Sequence, residues 1–312
     1  MKISIIGAGN VGGLTAMRLA EAGFGDIVLA DITKGLALGK AFDLEDAGSV
    51  LKYNYCIRGT DDIEDTKNSD IIIITAGLTR KLGMSREDLL NRNAEILKGV
   101  CLKIKKISSQ AILIVVTNPL DLMTYLVLKI TGFKSNRVFG MGPNLDTARF
   151  ANLISKELNI PNTDIEACVI GSHGEGMLPL ARFTTVKGMA LNELLDDEKI
   201  KVITKKTLER GLEIVSLLRS GSAYLAPSQA IATVVRIILK DEKRIIGVSA
   251  YLNGEYGIND TCIGVPCRIG KDGIEKIIEL ELNKEERLLF FKSAESIRKN
   301  LGLIKPFCDG LL

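Results

Sequence analysis

The stretch "KISIIGAGNVGGLTAMRLAEAGFGDIVLAD", residues 2–31, constrains the fold more than any other part of the chain. It opens with a short apolar run that ends in glycine, as a buried strand does. Apolar residues then recur at helical spacing as far as Gly23, and a second strand-like run, "DIVLAD", ends in an acid. Between strand and helix lies Gly7-x-Gly9-x-x-Gly12. Such spacing alone is common, but a strand before it and a helix after it give it mechanical meaning. The first glycine makes a tight turn, the second lets backbone approach a pyrophosphate, and the third lets helix and strand pack closely. Amide groups at the helix N-terminus and the helix dipole then favour an anion. Gly7, Ala8, Gly9, Asn10, Val11 and Gly12 are therefore candidate cofactor-binding residues. Asp31 follows Gly12 by 19 residues. A carboxylate there accepts hydrogen bonds from both hydroxyls of a ribose and repels a 2′-phosphate, which points to NAD over NADP.

The alternation continues. "GLALGKAFDLEDAG" has helical spacing, "SDIIIITAG" and "AILIVVTNP" are continuous apolar runs of strand length, and helices are expected over 85–107 and 119–131. Strands buried on both faces and separated by helices imply a parallel sheet covered on each side. The second half reads differently. A helix fits "LDTARFANLISKELNI" up to Pro161, followed by β-like pieces "TDIEACVIG", "ARFTTVKG", "RIIGVSAYLNG" and "TCIGVPCRIG". Long helices fit 197–219, 223–240 and 283–301. The mixture predicts an α+β domain, with the division near "GMGPN": a nucleotide-binding domain over 1–142 and a second domain over 143–312.

Bulk properties exclude several classes of function. The 312 residues carry 41 basic and 38 acidic side chains, a net charge of +3, and no Lys/Arg block, so nucleic acid is not the expected partner. No apolar run approaches the ~18 residues of a membrane span, and the N-terminus lacks the pattern of a cleavable signal. Six scattered cysteines and one histidine offer no metal-ligand spacing, so no metal site is expected. Free thiols fit a reducing cytoplasm.

That one histidine, His173, sits in "VIGSHGEGMLP" among Gly171, Gly174 and Gly176. Its setting admits a structural ring as readily as a proton carrier. Three further constellations are open in the same way. Arg80 and Arg86 lie in "TAGLTRKLGMSRED", on a glycine-hinged loop at a strand's carboxyl end, where they either close over an anion or stay solvated, with "SRED" as a helix cap. Asn118 in "VTNP" either orients a carboxamide or carbonyl at the nucleotide rim or simply makes an Asn-Pro turn. Asp146 and Arg149 in "LDTARF" share one helix face. They form an intrahelical ion pair, or else Asp146 holds an imidazole while Arg149 forks onto a carboxylate.

Taken together, "GAGNVG", "TAG…RK.GMSR.DLL.RN", "VTNP", "LDTARF" and "GSHGEGMLPL" occur in an order that resembles the lactate/malate dehydrogenase family, and "GSAYLAPS" (221–228) is similar to the malate branch built like lactate dehydrogenase. The resemblance spans about residues 2–302. It implies a Rossmann-type doubly wound parallel sheet followed by an α+β catalytic domain, NAD as cofactor, and reversible reduction of a 2-oxo acid. By position it implies that His173 is the proton donor/acceptor and Asp146 its carboxylate partner. Arg149 then binds the substrate's C1 carboxylate, and Arg86 polarises the reacting carbonyl. Asn118 lies near nicotinamide and substrate. Asn93, Val116 and Thr117 join the cofactor-binding set. Arg80 occupies the position that selects the substrate. An arginine there suits the second carboxylate of oxaloacetate, because a second buried charge needs a second cation. Leu82 departs from the proline usual in the malate branch, which is expected to loosen the open loop. Ser222 is expected to border the substrate cavity. A homotetramer or homodimer is expected. A lactate or other 2-hydroxy-acid dehydrogenase is the nearer alternative, and a non-catalytic NAD-binding sensor the more distant one.

Overall fold

A computed structural model describes residues 1–79 and 84–308, apart from the side chain of Arg86. Arg80 and Leu82 therefore lie outside the described residues. Along the chain come β1 (Lys2–Ile6), α1 (Asn10–Glu21), β2 (Asp26–Ala30), α2 (Leu36–Val50), β3 (Ile57–Thr60), β4 (Ile71–Ile74), α3 (Arg86–Ile107), β5 (Ile112–Val115), α4 (Leu120–Thr131), β6 (Val138–Gly140) and α5 (Pro143–Leu158). The second half holds β7 (Ile165–Glu166), β8 (Val169–Gly171), β9 (Met177–Pro179), β10 (Thr185–Val186), β11 (Met189–Ala190), α6 (Leu191–Leu194), α7 (Asp197–Leu218), α8 (Leu225–Leu239), β12 (Arg244–Asn253), β13 (Asn259–Gly270), β14 (Gly273–Ile277) and α9 (Lys284–Cys308).

Strands β1–β6 are parallel in the order 3-2-1-4-5-6. That is the doubly wound order whose ligand crevice lies beyond the strands' carboxyl ends, where the winding reverses. The residues explain the burial. All four isoleucines of β4 have no exposed surface, as a central strand covered by helices on both faces requires. Helix α4 is buried nearly all round because it lies between α3, α9 and strand β13.

The sheet does not stop at β6. Strand β12 pairs antiparallel with β6 through Ser249 and Gly140, and β13, β8 and β9 extend it further. Contact here is close: a Cβ on Gly140 would stand 2.5 Å from Thr124 Oγ1 and 2.9 Å from the Ser249 Cβ. The two halves of the chain thus share one sheet. A small separate sheet, β11-β10-β7, and a second apolar cluster around Phe150, Leu153 and Ile203 complete the second half.

Several expected elements shift. "ARFTTVKG" is mostly a 3₁₀ turn at Ala181–Phe183, leaving Thr185–Val186 as its only strand residues. The last helix continues to Cys308, past the expected end at 301. Helix α5 begins with Pro143 and ends at Asn159 in a left-handed conformation just before Pro161, which is the stop expected of an Asn and a nearby proline. Strands β3 and β6 were not evident from the sequence.

Candidate active site

The turn after β1 has the geometry its glycines predicted. Gly7 has a φ of +108°, and a Cβ on Gly12 would lie 1.8 Å from the Gly7 carbonyl oxygen, so neither position admits a side chain. Gly9 is different, since a Cβ there would meet no protein atom within 4 Å. The space above Gly9 is open, and packing within the protein does not account for the glycine. No side chain caps α1, so its first-turn amides lack the intrahelical acceptors that later amides have. An open cradle with unsatisfied N–H groups at a helix start fits a pyrophosphate. The Lys40 ammonium lies beside it and donates to the Gly9 carbonyl at 3.3 Å.

Asp31 closes the same turn. One carboxylate oxygen accepts from the Ala8 amide at 2.6 Å and the other from the Thr33 amide at 2.8 Å. Burial opposes ionisation of Asp31, but the Thr33 and Ala8 amides and the Lys40 charge outweigh it and hold the carboxyl below its usual range. An ionised Asp31 at the end of β2 retains lone pairs for a ribose.

Beyond β4 and β5 the rim is held by Asn93. Its side-chain oxygen accepts from the Leu78 amide at 2.7 Å, and its amide donates to the Asn118 carbonyl at 2.7 Å. Only 1% of Asn93 is exposed, so its side chain ties the loop after β4 to the loop after β5. Thr117 is turned inward in the same way and donates to the Ala76 carbonyl at 2.6 Å. Val116 packs against the core. By contrast, Asn118 is exposed. Helix α3 starts with the reciprocal Ser85–Asp88 capping box read from "SRED".

His173 lies at the end of this rim nearest β6. Its Nδ1 stands 2.7 Å from Asp146 Oδ2, with Asp146 1% exposed. With Asp146 accepting the Nδ1 proton, Nε2 is the nitrogen free to exchange one, since it has no partner among the described residues. Burial disfavours the imidazolium, but the Asp146 charge and hydrogen bond, assisted by Asp121, raise the ring above its ordinary range. Gly142 makes room for the ring: a Cβ there would be 2.9 Å from His173 Cγ and 2.3 Å from Leu120 Cδ2. Arg149 also reaches Asp146, with its Nη1 at 3.2 Å from Oδ1. The ion pair of one reading of "LDTARF" and the imidazole contact of the other thus coexist, because Asp146 carries an imidazole on one oxygen and a guanidinium on the other. Burial lowers the Arg149 proton affinity, and Asp146 partly restores it.

Two residues at this site were not evident from the sequence. Asp121, in the first turn of α4, accepts from the His173 backbone amide at 2.9 Å and from the Ser249 hydroxyl at 2.6 Å. Burial pushes its carboxyl up to about 6, against the opposing pull of those two donors. A motif-level signal existed, since Asp121 lies two residues after Pro119 of the Asn118-Pro119 turn, on the helix that starts at the rim. Lys40 had no comparable signal. Arg80 and the side chain of Arg86 lie outside the described residues.

The fold and this rim define a class: a dinucleotide-binding α/β oxidoreductase with a carboxylate-supported histidine beside its nucleotide crevice. The chain belongs to the lactate/malate dehydrogenase family. Residues 1–140 match the family's model for "lactate/malate dehydrogenase, NAD binding domain", and residues 143–308 its "alpha/beta C-terminal domain". The malate dehydrogenase of Methanosarcina mazei is 47% identical over 305 residues, covering 98% of this chain and 99% of that protein. Among solved structures, the apo malate dehydrogenase of Picrophilus torridus superposes with a TM-score of 0.94 at 43% identity, covering 98% of each chain. The lactate dehydrogenase of Eimeria maxima, solved with NADH and oxamate, gives 0.95 at 38% identity, covering 100% of this chain and 96% of that one.

Proposed function

We infer that the chain is an enzyme that interconverts oxaloacetate and L-malate with NAD(H). The observation that carries this reading is the pairing of His173 with the buried Asp146, 2.7 Å apart, at the rim of a nucleotide cradle in a chain so similar to malate dehydrogenases. When bound, the cofactor supplies or accepts the hydride at the substrate carbon. The chain's residues supply the rest. Protonated His173 gives its Nε2 proton to the carbonyl oxygen and recovers it in the reverse direction. Asp146 fixes the tautomer and supports the imidazolium. Arg149 takes the C1 carboxylate, where two parallel N–H···O bonds are the natural geometry. Arg80 takes the distal carboxylate, Arg86 faces the carbonyl oxygen, and Asn118 orients the reacting groups. Gly7, Ala8, Gly9, Asn10, Val11 and Gly12 form the pyrophosphate cradle and Asp31 the ribose contact. Asn93, Val116 and Thr117 shape the nicotinamide side of the crevice.

The division at residue 142 into a cofactor-binding part (1–142) and a catalytic part (143–312) is supported by the two family models, which adjoin between residues 140 and 143. Assembly into a homotetramer or homodimer is supported by apolar side chains left in solvent on α2 and around the α7–α8 turn. They include Phe42 at 55%, Leu212 at 68% and Leu217 at 75% exposure, and exposed apolar surface of this kind marks association sites. No helix among the described residues is long and apolar enough to cross a membrane. A cytoplasmic setting is supported by the unbridged thiols of Cys56, Cys101, Cys168, Cys262 and Cys267.

The test of this reading is NADH consumption in the presence of oxaloacetate, with equimolar L-malate as product. No consumption would refute it. The cofactor arm is separable. The wild type is expected to prefer NADH to NADPH, because the Asp31 carboxylate repels a 2′-phosphate. Asp31→Ser should weaken NADH and relatively improve NADPH, read from KM for each. Equal use of both cofactors by the wild type would show that Asp31 does not have this role.

A further inference from the structure

The loop that carries His173 joins β8 to β9, and the ladder between those strands closes it at Gly171 and Met177. Gly171 and Gly174 flank His173 with φ angles of +91° and +126°, open to glycine, and side chains from outside the hairpin hold the residues between them. Ser172 donates its amide to Ser293 Oγ of α9 at 2.9 Å, and His173 donates its amide to Asp121 of α4 at 2.9 Å. The His173 residue is therefore gripped by two carboxylates from two helices: Asp146 on the ring and Asp121 on the main chain. We propose that Asp121 is a positioning residue for the proton-transferring histidine, anchoring its backbone through one oxygen while its charge stands as a second negative group behind the imidazolium. The proposal rests on His173 carrying the proton in the reaction inferred above.

The choice of residue supports a role for the charge. An amide anchor alone needs only a neutral acceptor, and burying a carboxylate where 5% of the residue is exposed is costly unless the charge is compensated. Compensation is present. The fully buried Ser249 of β12 donates to Oδ1 at 2.6 Å, and the His173 amide donates to Oδ2. The titratable groups facing Asp121 are His173, Asp146 of α5 and Cys262 of β13, with Arg149 acting on the ring from α5. Burial raises the Cys262 thiol well above its usual range and keeps it neutral. Each of Asp121 and His173 favours the charged form of the other. Asp121 also sits on the seam between the halves of the sheet, since Ser249 is the residue that β12 pairs with Gly140.

Because His173 is the only histidine, its ring can be followed by NMR through a pH titration of the full chain with NADH, without any turnover. Asp121→Asn keeps an acceptor oxygen for the His173 amide and removes the charge. It should lower the ring's proton-binding constant by ~3-fold or more, the scale of a nearby screened charge. The alkaline limb of kcat/KM for oxaloacetate should move to lower pH by the same factor. Ser249→Ala removes a donor that favours ionised Asp121, so it should shift the ring in the same direction by less. A purely structural clamp would lower Tm in Asp121→Asn and leave the ring titration where it is, and that result overturns the proposal. If Asp121→Asn does not fold, Ser249→Ala decides, and an unmoved titration there overturns it equally. A wild type inactive on oxaloacetate would be seen in the rates alone, so failure of the function and failure of the Asp121 role remain distinct.

Discussion

Arg80→Gln is expected to cut kcat/KM for oxaloacetate by at least ~100-fold, the scale of ~3 kcal/mol for a lost charge-assisted contact. Pyruvate, which has no second carboxylate, should lose little or gain. The asymmetry is the substance of the prediction. A site built for two negative charges rejects a substrate with one because a buried cation is left unpaired, whereas a neutral amide rejects a substrate with two. Steady-state rates on both substrates check it. Equal losses on both would mean that Arg80 serves the structure of its loop and does not read the distal carboxylate.

The second large effect belongs to His173. His173→Asn should lower kcat for oxaloacetate reduction by at least ~100-fold, the usual contribution of a positioned general acid, while NADH binding stays close to normal. In the wild type the sign of the pH dependence follows from the form of the ring each direction needs, and the raised proton affinity places the window above the ring's ordinary range. Oxaloacetate reduction needs the imidazolium, so it is fully active below the ring's pKa and falls as pH rises through it. Malate oxidation needs the neutral ring and rises over the same window. Both dependences should vanish from the residual rate of His173→Asn. Fluorescence titration of NADH and initial rates across pH measure them.

The parts legible in the sequence are those encoded locally. The turn at Gly7, Gly9 and Gly12, the strands flanking α1 and the Ser85–Asp88 cap depend on neighbours within a few residues, and each forms as read. Strand β3 was not visible because it is short, pairs only with β2 and exposes Arg58, so it lacks the continuous apolar run of a central strand. Strand β6 is three residues long, too short for any periodicity. Its importance comes from Gly140, where the sheet crosses into the second half of the chain. The site shows the same divide. Asp146 and His173 are 27 residues apart, and the residues alone left their pairing as one of two readings, which family resemblance then favoured. Asp121 meets His173 and Ser249 across 52 and 128 residues, a contact made by the packing of α4 under β12 and beyond the reach of local pattern. The Asn93 side chain ties the loop after β4 to the loop after β5, a bracing contact that no local pattern shows.

The central claim, that the chain's one histidine carries the proton, is tested most directly by titrating its ring with a dead-end 2-oxo-acid analogue such as oxamate bound to the NADH complex. The analogue's oxygen accepts a hydrogen bond from the protonated ring, so it binds the imidazolium in preference to the neutral form. Linkage then requires the analogue to raise the observed pKa of His173 and to bind more weakly as pH rises through it, each by the same factor. An analogue that binds with unchanged affinity across that range, and leaves the His173 titration where it was, would contradict the account.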